Sequence, residues 1–135
     1  MDKLSYEIVE FYEKLSSWEH AVVKNSGYSL PQVHVVEILG ANGAMRMKEL
    51  AEKIGITTGT LTVQIDRMEK AGLVTRNAHA SDRRAILVDL TNKGLAIYKE
   101  HDQLHHRLTD QITAKFSDDE RSLLLTFFER INHEF

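Results

Sequence analysis

Apolar residues recur along the opening segment at Leu4, Ile8, Phe11, Leu15, Trp18 and Val22, separated alternately by four and three positions. That spacing is the seam of a helix packed along another helix, and it predicts one long first helix set in a subunit interface. Asn25 to Tyr28, with Gly27, breaks the pattern. Ser29, followed by Pro31 and Gln32, has the form of a capping box with an early proline and opens a second helix through about Leu39. Gly40 to Ala44 reads as the loop beyond it.

From Met47 to Thr91 the rhythm changes twice. Leu50, Ala51 and Ile54 give a short helix one apolar stripe, and Gly55 supplies the freely turning residue that a sharp corner between helices needs. Thr57 or Thr58 caps the next helix by accepting a backbone N–H. In that helix Leu61, Ile65 and Met68 share the inward side. Thr62, Val63, Asp66, Arg67 and Lys70 are left outward, with Gly59 and Thr60 on the exposed first turn. Gly72 ends the helix, and the β-prone runs Leu73 to Arg76 and Ala85 to Leu90 flank a polar tip containing Ser81, Asp82, Arg83 and Arg84. Two short helices around a tight turn, then a two-stranded hairpin, make a helix-turn-helix with a wing.

After the wing, Thr91 caps a long helix whose inward stripe is Tyr98, His101, His105, Leu108 and Ile112. Two histidines stand where a plain seam carries leucine. Ser117 and Glu120 form a second capping box, opening a last helix with the apolar face Leu124, Phe127, Phe128, Ile131 and Phe135. The fold class is therefore mainly α with a small β-hairpin (α+β), a winged helix-turn-helix over about 45–91 with dimerisation helices at about 1–28 and 92–135. Terminal helices this apolar carry more sticky surface than a small core needs, which predicts a two-fold homodimer.

At 135 residues and 42% hydrophobic content the chain can bury one core, so a single domain over 1–135 is expected. No apolar run reaches membrane-spanning length and the acidic, amphipathic start is unlike a signal peptide, so no membrane partner and a cytoplasmic location are expected. With no cysteine there is no disulfide framework and no thiol switch. The net charge of −3 hides an asymmetry. From Arg46 to Arg84 eight Lys or Arg face five acids, whereas the remainder has nine basic and fifteen acidic residues. The positive field is local to the helix-turn-helix and wing, where the phosphates of double-stranded DNA need it.

The order of elements, the phrase IDRMEKAGLVTR and above all SDRRAILVDLTNKG resemble the MarR family of bacterial transcriptional regulators, whose wing carries Asp-x-Arg followed by a strand and Leu-Thr. The resemblance covers essentially the whole chain. It implies that Asp82 orients Arg84, that Arg84 and Arg83 lie near a narrow minor groove, and that the helix from Thr58 enters the major groove of a pseudo-palindromic operator. Many members carry a basic residue where this chain has Val63, and Asp66 adds a repelling charge beside the DNA-facing surface. Val63 then suits a thymine methyl, Thr60, Thr62 or Gln64 base edges, and Arg67 and Lys70 phosphates, with Thr58, Gly59 and Arg76 completing the DNA-facing set.

His101 and His105 are spaced i and i+4, so both imidazoles project from one face of one helix, as two ligands of a single metal ion must. His34 on the second helix and either Glu19 or His20 near the end of the first would complete a tetrahedral Zn²⁺ site. Within the MarR family, PQVHVVEIL and KEHDQLHH resemble stretches of the zinc-sensing repressors of zinc-uptake genes, which implies His34, His101 and His105 as ligands. The first-helix donor is then Glu19, although its spacing to His34 is shorter than in those repressors. Their second metal site uses a Cys, which this chain lacks, so one site per subunit is expected, with Glu100 the retained acid.

Two other readings remain open for the same histidines. They can be neutral core residues hydrogen-bonded to backbone or to Glu37, with His79, His106 and His133 at the surface. Alternatively, a phenolic or other organic anion fills a cleft lined by Trp18, Tyr12, Tyr98 and His34 and releases DNA without metal. A winged helix used only for protein contacts is the further alternative. The chain has no Ser/His/Asp arrangement, phosphate-binding glycine loop or supported carboxylate pair, and the four-donor zinc set leaves no open position for hydrolysis, so it is not expected to be an enzyme.

Overall fold

A computed structural model describes residues 1–78, 81 and 85–135. The elements run α1 (Lys3–Lys24), α2 (Leu30–Asn42), β1 (Met45–Arg46), α3 (Met47–Ile54), α4 (Thr58–Lys70), β2 (Val74–Ala78), β3 (Ile86–Leu90), α5 (Asn92–Ile112) and α6 (Asp118–Glu134). They form two compact units, Met1–Lys99 and Glu100–Phe135, divided within α5. The architecture is the expected one: mainly helical, with a small antiparallel sheet.

Local chemistry sets the boundaries. Asp2 caps α1 by accepting the Ser5 N–H. Ser29 and Gln32 exchange both bonds of a capping box at the start of α2. At the α3–α4 corner Gly55 adopts φ +82, a left-handed conformation that a residue with a Cβ enters only under strain. Thr57, rather than Thr58, caps α4: its hydroxyl accepts the Thr60 N–H at 3.1 Å and donates to Thr60 Oγ1 at 3.0 Å. Ser117 and Glu120 form the second capping box, opening α6.

Two boundaries differ from the sequence reading. First, α2 continues three residues past Leu39, through Gly40, and ends only at Gly43. Position 40 is glycine for a packing reason, since a Cβ there would lie 2.2 Å from ring atoms of Tyr98. Second, the sheet has three strands in the order β1-β3-β2, not two. Met45 pairs with Val88 and Arg46 with Leu87, while β2 and β3 register from Val74 with Leu90 to Ala78 with Ile86. A two-residue strand has no periodicity to detect, and its pairing is set by Met45 being buried over the sheet.

The core of the first unit joins Val35, Val36 and Leu39 of α2, Leu50 and Ala51 of α3, Leu61, Ile65 and Met68 of α4, and Leu73, Val74 and Val88 of the wing base. Thr91 ties the wing base to α5: its hydroxyl donates to the Gly72 carbonyl at 2.5 Å and accepts the Gly94 N–H at 3.1 Å. Outside this core, α1 leaves Leu4, Ile8 and Phe11 exposed, and α6 leaves Phe127, Phe128, Ile131 and Phe135 exposed. Among the described residues no helix is long and apolar enough to cross a membrane.

Candidate nucleic-acid interface

Helix α4 presents two chemically opposite sides. Leu61, Ile65 and Met68 are fully buried, which fixes its roll on α3 and the sheet. Thr58, Gly59, Thr60, Thr62, Arg67 and Lys70 are exposed, and Val63 is 52% exposed, an apolar side chain left in solvent on an otherwise polar surface. A Cβ at Gly59 would meet nothing closer than 3.9 Å, so the first turn is open to close approach. The Thr62 hydroxyl donates to the Thr58 carbonyl at 2.8 Å and keeps its lone pairs for an outside donor. Arg67 and Lys70 have no ion-pair partner among the described residues.

Gln64 and Arg76 are placed differently from those neighbours. Gln64 sits three residues after Leu61 and four before Met68, at the edge of the inward stripe, and its Nε2 is buried with no hydrogen-bond partner among the described residues. Arg76 on β2 reaches back to α4, donating from Nη2 to Asp66 at 2.6 Å and from Nη1 to Glu69 at 3.3 Å. Asp66, read from the sequence as a bare repelling charge, is thus neutralised locally, and the Arg76 guanidinium is committed to a clamp between wing and recognition helix. A pair seven and ten residues apart across a turn carries no sequence periodicity. Asp82, Arg83, Arg84 and His79, assigned from the sequence to the wing tip and surface, lie outside the described residues.

The proposed metal donors fall into two pairs, one in each unit. In the first, Glu19 from α1 and His34 Nε2 from α2 converge on each other, with Glu19 mostly buried and His34 half-exposed. His20 turns elsewhere, its Nδ1 engaging the Ser16 carbonyl at 2.8 Å. In the second, the Nε2 atoms of His101 and His105 lie 3.2 Å apart, with the rings edge to face at 4.8 Å and His101 buried. His34 also lines a cavity with Leu30, Pro31, Val35, Ile54, Ile56, Thr60 and Gln64. That lining is mainly aliphatic, and of the residues expected to line an aromatic cleft it contains His34.

A capped helix with a solvent-facing polar side, seated on a short helix and backed by a three-stranded wing, defines a winged helix-turn-helix protein. Residues 28–86 match the sequence model of the MarR family. The homoprotocatechuate degradative operon repressor of Escherichia coli is 28% identical over 128 residues, covering 95% of this chain and 86% of that protein. The uncharacterized HTH-type transcriptional regulator YfiV of Bacillus subtilis is 35% identical over 71 residues, and the match spans 53% of this chain but only 44% of YfiV. Among solved structures, a MarR family protein from Bacillus stearothermophilus superimposes with a TM-score of 0.88 at 23% identity, over 98% of this chain and 92% of that one. FabT of Streptococcus pneumoniae, solved in complex with DNA, gives 0.85 at 18% identity, over 97% and 94%. The chain thus resembles the MarR family in sequence over residues 28–86 and shares the fold of a solved MarR family protein along nearly its whole length.

Proposed function

We propose that the protein is a homodimeric, DNA-binding transcriptional repressor that sets α4 into the major groove of a pseudo-palindromic operator, with its affinity controlled by Zn²⁺. The observation that carries the DNA reading is the exposed face of α4, where Thr58, Gly59, Thr60, Thr62 and Val63 precede Arg67 and Lys70, cations without an ion-pair partner among the described residues. Thr60, Thr62 and Val63 supply the side chains for base edges and a thymine methyl, and the cations supply phosphate contacts. The apolar faces of α1 and α6 supply the dimer surface, which sets two recognition helices about 34 Å apart, one turn of DNA. A gel shift on the protein's own upstream DNA tests this. Arg84→Ala is expected to abolish the shift, and an unchanged shift would remove Arg84 from the interface.

Support for Zn²⁺ comes from the His101–His105 pair. Two Zn–N bonds of about 2.0–2.1 Å at a tetrahedral angle separate the nitrogens by about 3.3 Å, and the two Nε2 atoms are 3.2 Å apart. Glu19 and His34 are the remaining donors. When bound, the ion would favour one spacing of the recognition helices, and it aids operator binding only by as much as it prefers that state, about 1–3 kcal/mol or roughly 5- to 150-fold. Elemental analysis of untagged protein, with operator binding in zinc and in chelator, tests this. Equal binding in both conditions contradicts it. His101→Ala with His105→Ala is expected to abolish the zinc response and leave the fold intact.

A second reading, control by a small organic ligand without metal, is favoured by the aliphatic cavity against α4 and by the name of the E. coli relative, a repressor of a degradative operon.

A further inference from the structure

Helix α4 closes its C-terminal end on itself only in part. The Ala71 and Gly72 N–H groups return to the Arg67 and Glu69 carbonyls at 3.0 Å each, and the Leu73 N–H returns to Met68 at 2.9 Å, with Gly72 at φ +77. The next three carbonyls, those of Ala71, Gly72 and Leu73, find their donors at the start of α5. Lys93 Nζ donates to the Ala71 carbonyl at 3.0 Å, the Thr91 hydroxyl to that of Gly72 at 2.5 Å, and the Thr91 N–H to that of Leu73 at 3.0 Å. Gly94 is buried at the same place, and a Cβ there would lie 2.2 Å from the Leu73 carbonyl oxygen, so α5 comes this close only because residue 94 is glycine. All of these residues belong to the Met1–Lys99 unit.

A single cap fixes one point of a helix end, whereas three successive carbonyls held by one short segment fix its direction as well. The opposite end of α4 is already held by the Gly55 corner and the Thr57 cap. With 13 residues α4 is about 20 Å long, so a tilt of about 3° displaces one end by about 1 Å relative to the other. Side chains that read a partner must be placed to within about 0.5 Å. A cation on a flexible stem follows a phosphate through such a tilt, but a short side chain at a base edge loses its contact.

We propose that Thr91 and Lys93 are positioning residues that determine sequence specificity: without touching DNA, they hold the end of α4 on the first turn of α5 and so aim its readers at base edges. The inference rests on the reading that α4 meets DNA and adds which residues outside α4 set its aim. The Thr91 hydroxyl has both its roles taken within the fold, donating to Gly72 and accepting the Gly94 N–H at 3.1 Å. The Lys93 ammonium is engaged at the negative pole of α4, where a cation is favoured.

The test titrates the full-length protein into a duplex from its own upstream region and into a scrambled duplex, across a salt series. Thr91→Val keeps the side-chain volume and the backbone N–H and removes the hydroxyl. It is expected to lower the preference for the upstream duplex by about 3- to 10-fold, with affinity for the scrambled duplex and the salt slope unchanged. Thr91→Ser, which restores the hydroxyl, should keep the wild-type preference. Lys93→Met, at an exposed side chain, should lower the preference by about 2- to 5-fold and serves if Thr91→Val does not fold. A merely structural role would reduce the folded fraction, weaken binding to both duplexes alike and leave their ratio unmoved. An unchanged ratio in Thr91→Val and Lys93→Met, with a wild type that prefers the upstream duplex, would overturn the proposal and leave the DNA reading standing. A decrease of about 0.9 in the salt slope for Lys93→Met would overturn its positioning role in favour of a phosphate contact. A wild type without preference would overturn the DNA reading and the proposal with it.

Discussion

Replacing Arg76 with Met tests whether that residue is a clamp or a DNA contact, because methionine keeps much of the apolar stem and removes the fork. The guanidinium spans Asp66 at 2.6 Å and Glu69 at 3.3 Å, and its own side chain is only 23% exposed. Both carboxylates are more than a third exposed, so solvent screening holds the clamp to about 1 kcal/mol rather than the value of a buried pair. Urea unfolding at fixed protein concentration should show a loss of about that size. Two unneutralised acids would then sit beside the DNA-facing surface, and operator affinity should fall several-fold. Asp66→Asn made in the Arg76→Met background should recover part of that affinity, and the two substitutions should couple by about 0.5–1 kcal/mol in stability. Effects that add to within about 0.3 kcal/mol would refute the clamp. A decrease of about 0.9 in the slope of log affinity against log salt for Arg76→Met would identify it as a phosphate contact instead.

Two further perturbations probe the scaffold. Gly40→Ala places a methyl group 2.2 Å from the Tyr98 ring and should destabilise the fold by about 1–3 kcal/mol, with Tyr98→Ala largely cancelling the penalty; a neutral Gly40→Ala in thermal unfolding contradicts that packing. The Glu120 carboxylate accepts the Ser117 N–H, which holds its pKa below the ordinary carboxylate value, so its contribution to the start of α6 is present above the unfolded pKa and lost as pH falls through the lower folded one. Hydrogen exchange of the first α6 amides should therefore accelerate in acid in the native protein and stay slow in Glu120→Gln, which keeps the cap uncharged; equal acceleration in both would assign the effect elsewhere.

The parts of this molecule legible in the sequence are those with a period or a cap. The stripe Leu61, Ile65 and Met68 located the recognition helix and its roll, and the boxes at Ser29 and Ser117 located two helix starts to the residue. Gly40 looked like a loop because its reason for being glycine is Tyr98, 58 positions away and invisible to local pattern. Gln64 looked like a base reader because a polar residue on α4 is outward by default, whereas its place beside the inward stripe buries its amide nitrogen. Arg76 looked like one more cation of a basic patch, and only the fold reveals that two acids of α4 already hold it. The i, i+4 histidines were legible as a pair because one helix carries both; their Nε2 separation needed coordinates.

DNA reading by α4 can be measured by fluorescence anisotropy of the purified protein on a duplex from its own upstream region, against a scrambled duplex across a salt series. A recognition role for α4 predicts saturable binding of one dimer per site, a preference for the upstream sequence of at least about 10³-fold, and a steep fall with salt. It also predicts that Thr62→Ala or Val63→Ala narrows the preference, while Arg67→Ala weakens binding to both duplexes about equally. Equal affinity for the two duplexes, or a preference that survives substitution of both Thr62 and Val63, would contradict it.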